Sequence, residues 1–384
     1  MTVKAGRRWL AARLAASVLL AGGLALQLLS QFPVYYPCSI AQPSARAQAQ
    51  STLVVPGAPE AAGAPPASAA PADVFDLAAV TSPESWRFGV GMSTQLDVPA
   101  WLPRLGAGWW YDWSVRSPAP STGDYWQMIR MTGGRLDPPV AVFAAEAARL
   151  PGQVWIVGNE PDVIWQDGVY PACAAYLYHR AYAALKRADP TARVGPGGIT
   201  QASPLRLAYL DAWLDEYRAR YGAPLPAEVW TMHAFVLREE RGSWGVDIPP
   251  GQDVAAGWLL PVDDHDNVES FKWQILTFRR WMADRGYGDR PLAITEFGIL
   301  MPPDYGFGPE RVGRFMTATF DFLLSARDPA IGLASDGGRL VQQWAWFSLA
   351  DPLYPTGDLV DARHNGLTPL GLAYRQYVAA TVRR

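Results

Sequence analysis

From residue 84 onward, short apolar runs rich in β-branched and aromatic residues alternate with stretches of helical period. This alternation restricts the chain more than any other feature. Strand-like runs fall at 86–92, 106–115, 125–131, 154–159, 192–198, 228–236, 291–297 and 340–349. Between them apolar residues recur on one helical face: Leu177, Ala181, Ala184 and Ala188, then Leu207, Leu210, Leu214 and Tyr217, then Phe271, Ile275, Phe278 and Met282. Strands separated by helices imply a parallel sheet with helices packed over it. Eight such units in about 300 residues match the ordinary size of a barrel of this kind. The expected fold class is therefore α/β, a (β/α)8 TIM barrel spanning 84–384. A doubly wound open sheet is the alternative, but no Gly-rich dinucleotide fingerprint opens the first unit.

The segment before residue 84 has a different character. Lys4, Arg7, Arg8 and Arg13 precede an uncharged apolar stretch at 14–29, which is short for a membrane span. Residues 1–38 read as a signal peptide or a membrane anchor, with Ala45, Ala47 and Ala49 offering a late cleavage site. Export to an extracytoplasmic location follows, either as a secreted protein or as one held to the envelope. Residues 39–83 are rich in Ala, Pro, Ser and Gly and cannot bury enough apolar surface to fold, so a disordered linker is expected. Cys38 and Cys173 are the only cysteines. Export permits a disulfide between them, but the position of Cys38 in the tail favours two unpaired thiols.

In a barrel of this type, polar residues at the C-terminal ends of strands point into a shared mouth. That filter selects Trp110, Tyr111, Asp112 and Trp113 after the second strand and Asn159 and Glu160 after the fourth. It also selects His233 on the sixth, Glu296 on the seventh, and Trp344 and Trp346 on the eighth. Strands four and seven are nearly opposite on an eight-membered ring, so Glu160 and Glu296 can converge. Two facing carboxylates, one protonated and one ionised, are what cleavage of a glycosidic bond requires. Asparagine is scarce in this chain (Asn159, Asn267 and Asn365), which makes one directly before Glu160 notable. Asp162 is read as holding the turn after Pro161. The long stretch 238–267 after the sixth strand belongs to the same face.

The chain has 17 Trp and 16 Tyr, and flat aromatic rings suit the C–H faces of sugars. Trp110, Trp113, Trp165, Trp244 and Trp346 are the candidates for such platforms. The net charge of −3 offers no attraction to nucleic acid. The four histidines show no metal-ligand spacing, and neither a metal nor a cofactor is expected. The expected partner is a poly- or oligosaccharide, bound by a monomer that meets a membrane only through its N-terminal segment.

Asn159-Glu160-Pro161 after an apolar strand, with Ile294-Thr295-Glu296-Phe297-Gly298 on a later one, resembles glycoside hydrolase clan A, the retaining (β/α)8 glycosidases. The resemblance implies that Glu160 is the acid/base and Glu296 the nucleophile, with the two carboxyl groups about 5–5.5 Å apart. Trp110-Tyr111-Asp112-Trp113 and His233 are similar to the endo-β-1,3-glucanase-like cores. The stretch 158–168, followed by 188–198, is similar to the β-xylosidase and α-iduronidase branch. Asp112 stands where the glucanase pattern more often has Asn, and His233-Ala234-Phe235 where it tends to show His-x-Tyr. Substrate contacts are expected from Asn159, His233, Asp112, Trp110, Trp113, Trp165 and Trp346. A non-catalytic polysaccharide-binding barrel, or a transglycosylase using the same residues, are the competing readings.

Overall fold

The computed structural model describes Cys38, the backbone of Ala72–Asp73, and residues 82–92 and 96–381. The expected signal or anchor and most of the expected linker lie outside these residues. Among the described residues no helix is long and apolar enough to cross a membrane.

Each of the eight strand-like runs contains a strand: β1 Phe88–Gly91, β2 Trp109–Tyr111, β3 Gln127–Ile129, β4 Val154–Val157, β5 Arg193–Pro196, β6 Trp230–His233, β7 Leu292–Phe297 and β8 Gln343–Trp346. All pairings among them are parallel, in two runs, β2-β1-β8-β7-β6 and β3-β4-β5. The runs meet at both ends. The Trp126 amide donates to the Trp110 carbonyl at 3.0 Å, and the Met128 amide to Ser114 at 2.9 Å. On the other side the Glu228 amide donates to Val194 at 2.9 Å and that of His233 to Ile199 at 2.8 Å. This order, with helices along it, is consistent with a TIM-like barrel.

The helices are α1 Val98–Leu105, α2 Val140–Arg149, α3 Pro171–Ala188, α4 Pro204–Tyr221, α5 Val268–Asp284, α6 Pro309–Ser325 and α7 Pro369–Ala380. The link from β2 to β3 holds no helix, a departure from strict eightfold alternation. Its residues 117–123 read Ser-Pro-Ala-Pro-Ser-Thr-Gly, too short and too proline-rich to form one. Buried Glu146 of α2 braces this link instead, accepting from the Ser117 hydroxyl at 2.8 Å and the Ala119 amide at 3.0 Å.

Strand side chains alternate between two cores, as the pleat requires. Trp109, Tyr111, Trp126, Met128, Val154, Ile156, Val229, Ala293 and Ala345 form an inner cluster made of sheet residues alone. Their neighbours Trp110, Trp155, Val157, Trp230, Trp344 and Trp346 face outward with the helix side chains. Gly89 makes room inside: a Cβ there would lie 2.3 Å from the Trp109 ring.

The two cysteines are joined in a disulfide, contrary to the expected free thiols. Cys173 lies in the first turn of α3 and is buried. Sequence position alone gave no view of Cys38 reaching it across a separation of 135 residues. A second point of the tail, Ala72–Asp73, pairs antiparallel with Gly366–Leu367. Reduction of the disulfide should lower stability by about 2–4 kcal/mol, seen as a fall in Tm with dithiothreitol. A non-reduced digest of the protein folded under oxidising conditions should yield a linked Cys38–Cys173 peptide. Two free thiols there would overturn the pairing.

Candidate active site

β4 ends at Val157, and the chain then turns sharply. Gly158 has φ 98° and Glu160 itself has φ 43°, a left-handed conformation that a glutamate adopts only when its surroundings impose it. Buried Asp167 holds this turn, accepting from the amides of Asn159 and Met131, both at 2.8 Å, and from Arg130 Nε at 2.7 Å. The Glu160 amide donates to the Gly198 carbonyl at 3.1 Å. Asp162 accepts from the Thr200 amide at 3.2 Å and pairs with Arg206. It therefore holds backbone, as the sequence suggests, and is fully buried.

Glu296 reaches the same place from β7 by a different device. Met232 pairs with Ile294 but His233 pairs with Glu296, so β7 carries an extra residue against β6. The register against β8 is irregular over the same stretch. Such a bulge re-aims the side chains that follow it. Ile294 and Phe297 both pack outward, and Glu296 turns to the mouth. There its Oε1 accepts from the Tyr111 hydroxyl at 2.8 Å and from Trp113 Nε1 at 2.7 Å.

His233 sits between the two acids. Nδ1 is 2.9 Å from Glu160 Oε1 and Nε2 is 3.5 Å from Glu296 Oε1. Gly198 leaves space for this ring, because a Cβ there would lie 2.7 Å from His233 Cδ2. One ligand atom from each of Glu160, His233 and Glu296 lies within 4.8 Å of the others, and among the described residues this is a group that could contact one cation.

The three side chains share their protons. Burial works to raise Glu160, but the hydrogen bond and charge of His233 carry it below the usual carboxylate range. Burial raises Glu296 above that range, against the pull of His233, Trp113 and Tyr111. Burial opposes a charge on His233, and the carboxylates of Glu296 and Glu160 outweigh it and raise the imidazole. One proton thus belongs to the Glu160–His233 pair, and a shift along a 2.9 Å hydrogen bond moves it between them. Burial and the Glu296 charge push Tyr111 well above its ordinary value, which keeps it a donor.

A cleft of about 730 Å³ opens over this trio. Of the expected site residues, Asp112, Trp113, Asn159, Glu160, Trp165 and Glu296 line it, as does Trp244. Asn159 Oδ1 is buried with no hydrogen-bond partner, while its amide nitrogen is 3.4 Å from Gln166. Asp112 is already engaged, accepting from Tyr125 at 2.5 Å, Ser114 at 2.7 Å and Arg116 Nε at 2.6 Å. His233 is fully buried, so its partners are the glutamates rather than a sugar.

Trp110 and Trp346 do not reach the cleft, which corrects the expectation for both. They occupy outward positions, 1% and 0% exposed, with Nε1 donating to Thr122 and Gly357 carbonyls at 3.0 and 2.8 Å. Strand parity is the signal that separates them from Trp113, which continues the inward row of Trp109 and Tyr111. That same parity marks Tyr111, the donor to Glu296, which the strand-end filter selects but which is absent from the expected substrate contacts. Arg130, Gln166, Thr200, Phe235, Phe347 and Tyr354 also line the cleft from loops whose approach no local pattern announces.

Trp113→Phe keeps the ring but removes the donor to Glu296. Turnover should fall about 10- to 150-fold, because a hydrogen bond to a charged group is worth about 1.5–3 kcal/mol. Trp346→Phe should lower Tm without that loss of turnover. Steady-state kinetics and melting curves on both variants check the contrast.

Residues 89–242 match a family described as glycosyl hydrolase catalytic core. No curated protein matches the chain. Among solved structures, the chain is similar to a GH128 (subgroup II) endo-β-1,3-glucanase from Pseudomonas viridiflava. That likeness has 19% identity and a TM-score of 0.52, covering 75% of this chain and 96% of the other. It is similar to a GH128 (subgroup III) curdlan-specific exo-β-1,3-glucanase from Blastomyces gilchristii in complex with glucose, at 18% identity and TM-score 0.53, covering 77% and 99%. A GH128 (subgroup I) endo-β-1,3-glucanase from Amycolatopsis mediterranei in complex with laminaritriose gives 18% identity and TM-score 0.51, covering 76% and 99%. At such identities the likeness speaks for the fold. With the family match over residues 89–242, the resemblance to the clan A glycosidases holds, and the chain is a glycosidase.

Proposed function

We propose that this protein is an exported, monomeric, retaining glycosidase that cleaves β-1,3-linked glucan. The observation that carries the reading is the Glu160–His233–Glu296 trio at the floor of an aromatic-lined cleft, with ligand atoms within 4.8 Å of one another. That spacing favours direct attack by a carboxylate, since an inverting pair leaves about 6.5–9.5 Å for a water. The sugar specificity is taken from the β-1,3-glucanases whose fold this chain shares. The Cys38–Cys173 disulfide supports export, because such bonds persist in oxidising compartments.

In this mechanism Glu160, holding the shared proton, delivers it to the leaving oxygen as Glu296 attacks the anomeric carbon. The bond to the leaving sugar breaks as a glycosyl ester on Glu296 forms. Glu160, now ionised, takes a proton from water as that water attacks the ester and frees the sugar. Tyr111 and Trp113 hold Glu296 Oε1 throughout. Asn159 Oδ1 is suited to accept from a sugar 2-hydroxyl, a contact that strengthens in the transition state. Trp113, Trp165 and Trp244 supply the apolar walls.

Glu160→Ala should lower kcat/KM on laminari-oligosaccharides by about 10²–10⁴-fold, and Glu296→Ala should abolish turnover. Proton NMR of the first product formed should show the β-anomer. An α-anomer, or wild-type activity in both variants, would overturn the assignment.

The pH profile follows from the same trio. Glu296 must be ionised to attack, and it is raised above 4.5, so activity should climb with pH through a value above 4.5. The Glu160–His233 proton must be present, and His233 is raised above 6.5, so activity should fall only above 6.5. The kcat/KM profile should be a bell between these limits. His233→Asn should pull its basic limb to lower pH.

A further inference from the structure

Arg206, in the first turn of α4, lies outside the cleft and is 0% exposed. Its guanidinium nevertheless joins three segments that build the site. Nε donates to Glu239 Oε1 at 2.8 Å. Nη1 donates to the Asp162 carbonyl at 3.1 Å and to the Asp162 carboxylate. Nη2 donates to the carbonyls of Val246 and, at 2.8 Å, Asp247. Five donor contacts on a rigid fork match the full capacity of an arginine, and a lysine has only three donors on one nitrogen.

These partners are not scattered. Asp162 lies two residues after Glu160. Glu239 and Val246–Asp247 bracket the turn Gly242–Gly245, whose Trp244 lines the cleft. The other Glu239 oxygen accepts from the Trp258 amide at 2.9 Å, which ties down the rest of the insertion. Backbone geometry gives an independent sign that the clamp works against resistance. Glu160 at φ 43° and Asp247 at φ 22° are two of four non-glycine residues with positive φ among those described. One lies two residues from a clamped carbonyl, and the other is itself clamped. Such conformations persist where neighbouring contacts over-determine them.

We infer that Arg206 is a positioning residue that fixes the acid/base Glu160 and the Trp244 turn against each other, so that one buried cation sets both proton delivery and sugar binding. This rests on the retaining-glycosidase reading above. The competing view is that Arg206 with Asp162 and Glu239 is a buried charge triad that serves stability alone.

The test uses the full chain with Arg206→Lys and Glu239→Gln and two probes, laminaripentaose and 2,4-dinitrophenyl β-laminaribioside. Dinitrophenolate leaves without a proton, so the burst of its release as the ester forms does not depend on where Glu160 sits, whereas later turnovers need Glu160 to activate water. Arg206→Lys should lower kcat on laminaripentaose on the order of 100-fold, the cost of a misplaced acid, while the burst rate constant for dinitrophenolate release at saturating aryl substrate stays within about threefold. KM should rise on both through the displaced Trp244 turn. Glu239→Gln keeps the shape but removes the charge and one of the two acceptor oxygens, and should give the same split to a smaller degree. It decides the matter if melting curves show that Arg206→Lys does not fold at the assay temperature. Equal losses of kcat on laminaripentaose and of the burst rate constant on the aryl substrate, or a burst amplitude and kcat that only track the folded fraction, or no change in Glu239→Gln, would overturn the inference. A wild type inactive on both substrates would instead sink the glycosidase reading, and this inference with it.

Discussion

Parallel strands covered on one face by helices and closed on the other must sort their side chains by parity, and much of this site depends on that sorting. The inner row can hold only what fits inside a ring of strands: Trp109 stacked on Trp126 with centroids 4.4 Å apart, and aliphatic or small residues elsewhere. Where the strands end, the inner row continues upward as Tyr111 and Trp113 on β2 and as His233 on β6. After β4 it continues through Gly158 to Glu160. The same pleat that packs the core thus aims the chemistry on β2 and β6, and after β4 the left-handed turn at Gly158 and Glu160, held by Asp167, completes it.

β7 is the exception, and it is informative. Strict alternation from inward Ala293 would place Thr295 in the mouth and turn Glu296 toward the helices. The extra residue in β7 reverses that and sets Glu296 beside Tyr111 and Trp113. The cost is a break in the ladder. What it secures is a carboxylate at the cleft wall held by three potential donors, Tyr111, Trp113 and His233.

Charge is handled here in two buried groups that share a border. Glu160 and Glu296 line the cleft, with buried His233 bridging them. Asp162, Glu239 and Arg206 are sealed from solvent and fixed as an ion cluster. Between them lies one short segment, 160–162. Removing one partner from a sealed cluster leaves an uncompensated charge, which is expensive. The second group is thereby rigid enough to hold the strained backbone on which the first depends.

Strand positions, helix faces and the two glutamates were legible in the sequence, because apolar period and a polar residue at a strand end are local properties. Asn159-Glu160 and Glu296 stand out for that reason, as does the match of Trp165 and Trp244 to an aromatic surface. Trp110 and Trp346 were misread because a tryptophan looks the same on either face of a strand until parity is applied. The tertiary structure alone decided the bulge that turns Glu296, the place of His233 between two acids, the reach of Cys38 to Cys173, and the role of Arg206. Each of these is a contact between segments 33 or more residues apart or a shift in register against a neighbouring strand. Such geometry is fixed by packing between elements and leaves no periodic trace within any one of them.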